Sequence, residues 1–161
     1  MKEESMKQRG PQAATARIDA FCEKIGVELP MDYRQFLLDY NGVIFRGEPC
    51  FVIPGINKTV ELNTLYGLDF NTPQGTCLEK NYHYNFNYGL DGTTLMIGDC
   101  YTGGVGGLFI MLLTEDDGTG GIYACDLFSD DFVFEESTED NNTFKVANSF
   151  SEFMANLKYP E

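Results

Sequence analysis

The sequence predicts an α+β fold: a single domain with a mostly antiparallel twisted sheet, packed with two N-terminal helices and one C-terminal helix. Three observations carry that expectation. Two stretches near the N-terminus repeat their apolar residues at helical spacing. From Gly42 onward the texture changes to short β-like runs divided by glycine. The last element, SFSEFMANLKY, opens with a helix-capping signature. Helices and strands are segregated along the chain rather than alternating, which favours an antiparallel sheet over a parallel one.

The elements follow in order. Residues 1–11 are charged and polar and end at Gly10-Pro11, so they read as a flexible leader. The domain itself is expected over residues 12–159. Between Ala13 and Ile25, the residues Ile18, Phe21, Cys22 and Ile25 fall at i, i+3, i+4 and i+7, one face of a helix that Gly26 ends. A second helix follows Pro30, which suits a first turn because its missing N–H is not needed there. Leu29, Tyr33, Phe36, Leu37 and Tyr40 line its apolar face, and Asn41-Gly42 is expected to close it in a left-handed cap.

Strands are expected at Phe51–Ile53, within Thr59–Leu68, at Thr94–Gly98, at Leu108–Leu113 and at Ile122–Phe128. Leu108–Leu113 is apolar at every position, the pattern of a strand covered on both faces. Asp117-Gly118 turns the chain within a loop from Glu115 to Gly121. Thr72–Tyr88 fits a short helix or an alternating strand, with the helix slightly preferred, and Asp130–Asn142 is an acidic loop. In the last element Ser149 and Glu152 form an S-x-x-E capping box ahead of Phe150, Phe153, Met154 and Leu157.

Composition narrows the function. The chain has 161 residues, 43% of them hydrophobic, enough for one sizeable core. No apolar run reaches the roughly 18 residues that span a bilayer. The N-terminal segment lacks an apolar signal region. The five cysteines are widely spaced, which fits reduced thiols in a cytoplasmic protein better than a zinc site. His83 is the only histidine, so a histidine-based metal site or catalytic triad has almost nothing to rest on.

The four glycines at 103, 104, 106 and 107 invite a phosphate-binding reading. A phosphate loop needs a following Lys-Ser/Thr and a helix whose N-terminus faces the phosphates. Here a strand follows and Asp99 precedes, so the glycines read as scaffold, permitting close backbone approach between strands. The segment TEDDGTGG lacks the EF-hand spacing for calcium. Asp69, Asp91 and Asp99 have no spacing that demands general acid–base work. The sequence therefore predicts no cofactor, no metal and no enzymatic activity.

Charge is the most informative bulk feature. The net charge is −14. Residues 1–46 hold seven basic and seven acidic side chains, whereas residues 47–161 hold four basic and 18 acidic ones. Between Lys80 and Lys145 there are twelve acids and no Lys or Arg. Such a surface repels nucleic acid and anionic membrane and speeds encounter with a basic protein.

Three motifs stand in order: LPMDYRQFLLDYNG, IGDCYTGGVGGLFIML with the following IYACDLF, and SFSEFMANL. Together they resemble the SUKH superfamily, whose members include bacterial immunity proteins and a fungal cell-wall regulator. The resemblance rests on Leu29, Pro30, Tyr33, Phe36, Leu37, Asn41 and Gly42, then Ile97, Gly98, Asp99 and Gly107, then Ser149, Phe150 and Phe153, and it covers about Ile18 to Leu157. It implies a non-enzymatic binder: an antidote that holds a cognate toxin, with a regulatory or scaffold module binding a host protein as the alternative. Nuclease toxins are basic because they hold nucleic acid, so an acidic antidote matches them. The expected partner-binding residues are Asp99, Glu115, Asp116, Asp117, Asp126, Asp130 and Asp131, with Tyr101 and Tyr123 as exposed aromatic anchors.

Overall fold

A computed structural model describes residues 5–46, 49–54, 57–70, 78, 93–101, 108–114, 120–126 and 143–159. Its elements are β1 (Met6–Arg9), α1 (Thr15–Ile25), α2 (Met31–Asp39), β2 (Val43–Phe45), β3 (Cys50–Ile53), β4 (Lys58–Leu65), β5 (Thr94–Tyr101), β6 (Leu108–Leu113), β7 (Gly121–Asp126), β8 (Thr143–Ala147) and α3 (Phe150–Asn156). The strands form one sheet in the order β1-β2-β4-β5-β6-β7-β8, with β3 also on β4. Every pairing is antiparallel. Strand β4 is long enough to serve two neighbours on one edge: β2 pairs its C-terminal end through Val43–Leu65, and β3 pairs its N-terminal end from Cys50–Glu61 to Ile53–Lys58. The α+β class holds.

The helices form where the apolar spacing places them. In α1 the buried residues are Ile18, Phe21, Cys22 and Ile25, and Gly26 ends the helix in the left-handed region at φ 71. In α2 they are Tyr33, Phe36 and Leu37. Pro30 sits one position earlier than expected, as the N-cap at φ −53, ψ 143, and the helix begins at Met31. In α3 the Ser149 hydroxyl accepts from the Glu152 N–H at 3.1 Å. The Glu152 carboxylate reaches back one residue further than a standard capping box, accepting from the Asn148 N–H at 2.8 Å. Asp32 joins the two helix starts: its carboxylate accepts from Tyr33 N–H at 2.8 Å and from Ser151 N–H at 2.7 Å.

Aromatic rings tie these helices to the sheet. Phe150 of α3 meets Tyr33 edge-on at 5.0 Å and Phe36 at 5.0 Å, and Phe153 meets Phe51 of β3 edge-on at 5.3 Å. Such pairs add about 0.5–1.5 kcal/mol each beyond their buried area. The Tyr33 hydroxyl is buried and finds no hydrogen-bond partner among the described residues, and burial raises its pKa.

The left-handed cap after α2 is the structural knot of the N-terminal half. Asn41 is completely buried, with φ 44. Its Oδ1 accepts from Leu68 N–H at 2.8 Å, and its Nδ2 donates to the Pro11 carbonyl at 2.8 Å. A side chain at Gly67 would stand 1.8 Å from the Asn41 carbonyl oxygen, so the chain after β4 crosses the cap in direct backbone contact. Three segments meet at one asparagine.

Three expectations change. Residues Met6–Arg9, expected to be flexible, form β1 on β2, with Met6 opposite Phe45 and Arg9 opposite Val43. The flanking bonds Arg46 N–H to Ser5 O (2.7 Å) and Gly10 N–H to Gly42 O (2.9 Å) hold it. The predicted strand at Thr94–Gly98 runs on to Tyr101. Strands β2 and β8 were not anticipated individually. The segment Thr72–Tyr88 lies outside the described residues except for Leu78, which is buried and donates its N–H to Gly67 O at 2.9 Å. Gly103–Gly107 and the loop Asp130–Asn142 also lie outside them.

Candidate protein-binding face

Strands β4 and β5 position the polar residues that the sequence pointed to. Val60 and Leu62 of β4 are buried, and Glu61 between them is exposed. The register sets Glu61 opposite Tyr101 and Leu62 opposite Cys100. Paired residues share a face and alternate along a strand. Leu62 and Cys100 therefore face the core, while Glu61 and Tyr101 face outward. Cys50 of β3 pairs with Glu61 and lies on the same outer face, half-buried.

Asp99 shares this face two residues before Tyr101. A register shift between Leu62 and Thr64 turns Asn63 toward it. Asn63 Nδ2 donates to Asp99 Oδ1 at 2.7 Å, and the Tyr66 hydroxyl donates to Oδ2 at 2.7 Å. Burial raises the pKa of Asp99, and these two hydrogen bonds oppose the rise. Its neighbour Gly98 is required by packing: a Cβ there would stand 2.5 Å from the Thr64 carbonyl oxygen. The glycine in Ile-Gly-Asp thus lets β4 lie close enough for Asn63 and Tyr66 to reach the aspartate.

The expected site residues divide. Asp99 and Tyr101 are brought together, and Tyr101 is 55% exposed. Tyr123 is not an exposed anchor: it is 3% exposed, and Lys145 Nζ lies 5.8 Å from its ring centre. The reason is that Ile122 to Cys125 are all buried, so both faces of β7 are covered there. Asp126 is the last residue of β7, opposite Leu108. Glu115, Asp116, Asp117, Asp130 and Asp131 lie outside the described residues. Glu61, Asn63 and Tyr66 were missed as site residues. The polar positions Glu61 and Asn63 alternating with Val60 and Leu62 were the available signal, whereas the approach of Tyr66 depends on a bulge.

Two other described carboxylates already have arginines. Arg17 pairs with Asp69 at 3.0 Å. Arg34 pairs with Asp19 and donates to Cys22 Sγ at 3.6 Å, and the Asp19 hydrogen bond raises the Arg34 pKa. Asp19, Cys22 and Arg34 line a groove of about 560 Å³ between α1 and α2, with Glu23, Gly26, Val27 and Glu28. Cys22, Cys50, Cys100 and Cys125 form no disulfide. Burial pushes the Cys100 and Cys125 thiols up, so neither is poised as a nucleophile. Among the described residues no group of three or more His, Cys, Asp and Glu is placed to hold a metal ion. No described helix is long and apolar enough to cross a membrane.

A single α+β domain with an outward aromatic–carboxylate face has the features of a binding module. The chain belongs to the SMI1/KNR4 family (SUKH-1), whose family model matches residues 12–156. No curated protein matches it closely enough to count as a relative. The family is consistent with an immunity protein or a related binding module.

Proposed function

We propose that the protein is an immunity protein that acts in the cytoplasm of a bacterial cell and neutralises a cognate basic toxin, of nuclease type, by forming a tight complex. The observation that carries this reading is the charge distribution: the whole net −14 falls within residues 47–161. Membership of the SUKH-1 family supports it. A nuclease needs a basic surface for its phosphates, and an acidic partner competes for that surface. Asp99 and Tyr101 belong to the binding face in this reading, and Glu115, Asp116, Asp117, Asp126, Asp130 and Asp131 are its further candidate contacts. Tyr123, being buried, does not. No group on the enzyme side is required, because occlusion is sufficient.

The test is capture from the native organism at low salt with the tagged protein, mass spectrometry of the eluate, and co-expression of the captured partner. A basic toxin domain that is released as salt rises, and whose toxicity co-expression suppresses, is the expected result. Host regulatory proteins in its place would shift the reading to a scaffold module of the same family. No specific partner at any salt would remove the charge argument and leave the acidity as a means of solubility.

A further inference from the structure

The outer face of β3, β4 and β5 presents a ring and two carboxylates that form no ion pair among the described residues; Lys158, bridged to Cys50, is the cation next along the row. Cys50, Glu61 and Tyr101 stand side by side across the three strands. Cross-strand neighbours of this kind lie about 5 Å apart. Tyr101 is 55% exposed, although its strand is otherwise mostly buried. Asp99, on the same face, is oriented by Asn63 and Tyr66, both neutral donors. Neutral donors fix a carboxylate without cancelling its charge. A half-buried, uncancelled charge carries a desolvation cost that a cation relieves. Each carboxylate oxygen still has a second lone pair for a donor from outside.

This distinguishes the face from other acidic places among the described residues. Asp69 and Asp19 already have arginines, and the groove between α1 and α2 contains Arg34. Met31, the other large exposed apolar residue, has Asp32 beside it, whose carboxylate is committed to two backbone N–H groups. Only around Tyr101, among the described residues, does an exposed ring meet unmatched carboxylates. A guanidinium suits the place better than an ammonium. Its plane stacks on a ring while its fork of donors serves carboxylates at the edge.

We propose that this face docks an arginine of a basic protein partner, with the guanidinium stacked on Tyr101 and paired to Asp99 and Glu61. The inference rests on the antidote reading above and names the contact chemistry that reading lacks. The occupant is a protein segment bearing arginine; the acid excess of residues 47–161 supplies the charge complementarity.

The test is an amide-resolved NMR titration of the full chain with the blocked tripeptide acetyl-Gly-Arg-Gly-amide, and with its citrulline counterpart, which keeps the shape and loses the charge. The arginine peptide should shift Glu61, Asn63, Asp99 and Tyr101 saturably, with a Kd on the order of 1–10 mM, as expected for one exposed contact. Citrulline should not. Tyr101→Ala, at an exposed position, should weaken the titration at least threefold while the far-UV spectrum and the melting temperature stay as in the wild type. Shifts spread evenly over the acidic segments, or a citrulline response equal to that of arginine, would overturn the proposal. With a captured toxin in hand, Tyr101→Ala and Glu61→Gln should each slow or loosen the complex at least tenfold. Wild-type binding by both variants would sink this face and leave the antidote reading standing. Failure to capture a toxin with a positive titration would do the reverse.

Discussion

Replacing Asn41 by Ala tests whether one buried asparagine fastens three segments. The substitution removes both side-chain hydrogen bonds, leaving the Leu68 N–H and the Pro11 carbonyl without their partner. A buried donor left unpaired costs about 1–3 kcal/mol, and a carbonyl with a remaining lone pair costs less. Alanine at φ 44 adds about 1 kcal/mol, because asparagine tolerates that region better. The expected loss is about 3–5 kcal/mol, a large part of the 5–15 kcal/mol that a domain typically has. It corresponds to a fall in melting temperature of about 10 °C for a chain of this size. The assay is urea unfolding followed by far-UV circular dichroism, since the chain has no tryptophan. Asn41→Gly separates the terms: it relieves the backbone strain and should recover about 1 kcal/mol while keeping the hydrogen-bond loss. A loss below about 1 kcal/mol for Asn41→Ala would refute the argument, as would full recovery by glycine.

Three further outcomes follow from the same packing. Tyr33→Phe deletes a buried hydroxyl that has no partner among the described residues and keeps the ring contacts with Phe36 and Phe150; urea unfolding should show stability unchanged or raised by up to about 1 kcal/mol, and a loss of 2 kcal/mol or more would mean the hydroxyl is bonded. Gly98→Ala puts a Cβ 2.5 Å from Thr64 O, so the β4–β5 pairing must open, with a cost of about 2 kcal/mol or more and faster hydrogen exchange at Leu65 and Gly98. Asp32→Ala removes the acceptor of the Ser151 N–H, and the melting curve should report a loss of about 1 kcal/mol, typical of a helix cap.

How much of this was legible follows from how local each signal is. The α2 face, its Asn41-Gly42 end and the Ser149 cap of α3 depend on residues within one or two turns, and each formed as its spacing required. Strand β1 was not legible, because MKQR has three exposed side chains of four and is held by backbone bonds to β2. A segment that buries almost nothing leaves no hydrophobic pattern to read. The expectation of Tyr123 as an exposed anchor failed as well, and alternation could not have corrected it, since it distinguishes two faces only when one of them is wet. The Asn63–Asp99–Tyr66 cluster was out of reach for a third reason. Asp99 lies 36 residues from Asn63 and 33 from Tyr66 in sequence, and their meeting depends on a register shift that no local signal announces.

That cluster yields a prediction about pH. Burial raises the folded-state pKa of Asp99 above the ordinary aspartate value of about 4. A carboxyl whose folded pKa is raised contributes stability that is fully present below its unfolded pKa and lost as pH rises through the folded one. Asp99→Asn removes the charge and keeps the shape: Asn63 can still donate to the amide oxygen, and the Tyr66 hydroxyl can rotate to accept from the amide nitrogen. The wild type should therefore gain stability relative to Asp99→Asn as pH falls from 7 toward 4, read from urea midpoints. In a complex the order reverses. A guanidinium lowers the Asp99 pKa, so binding releases a proton, and affinity falls as pH drops through the value of the free protein. Below it the fall approaches tenfold per pH unit for this one group. The other acids of the chain contribute alike to both proteins and cancel in the comparison. Parallel stability curves for wild type and Asp99→Asn from pH 4 to 7 would show that the two hydrogen bonds already offset the burial of the carboxylate in the free protein, and the cost that a partner's cation relieves would not exist.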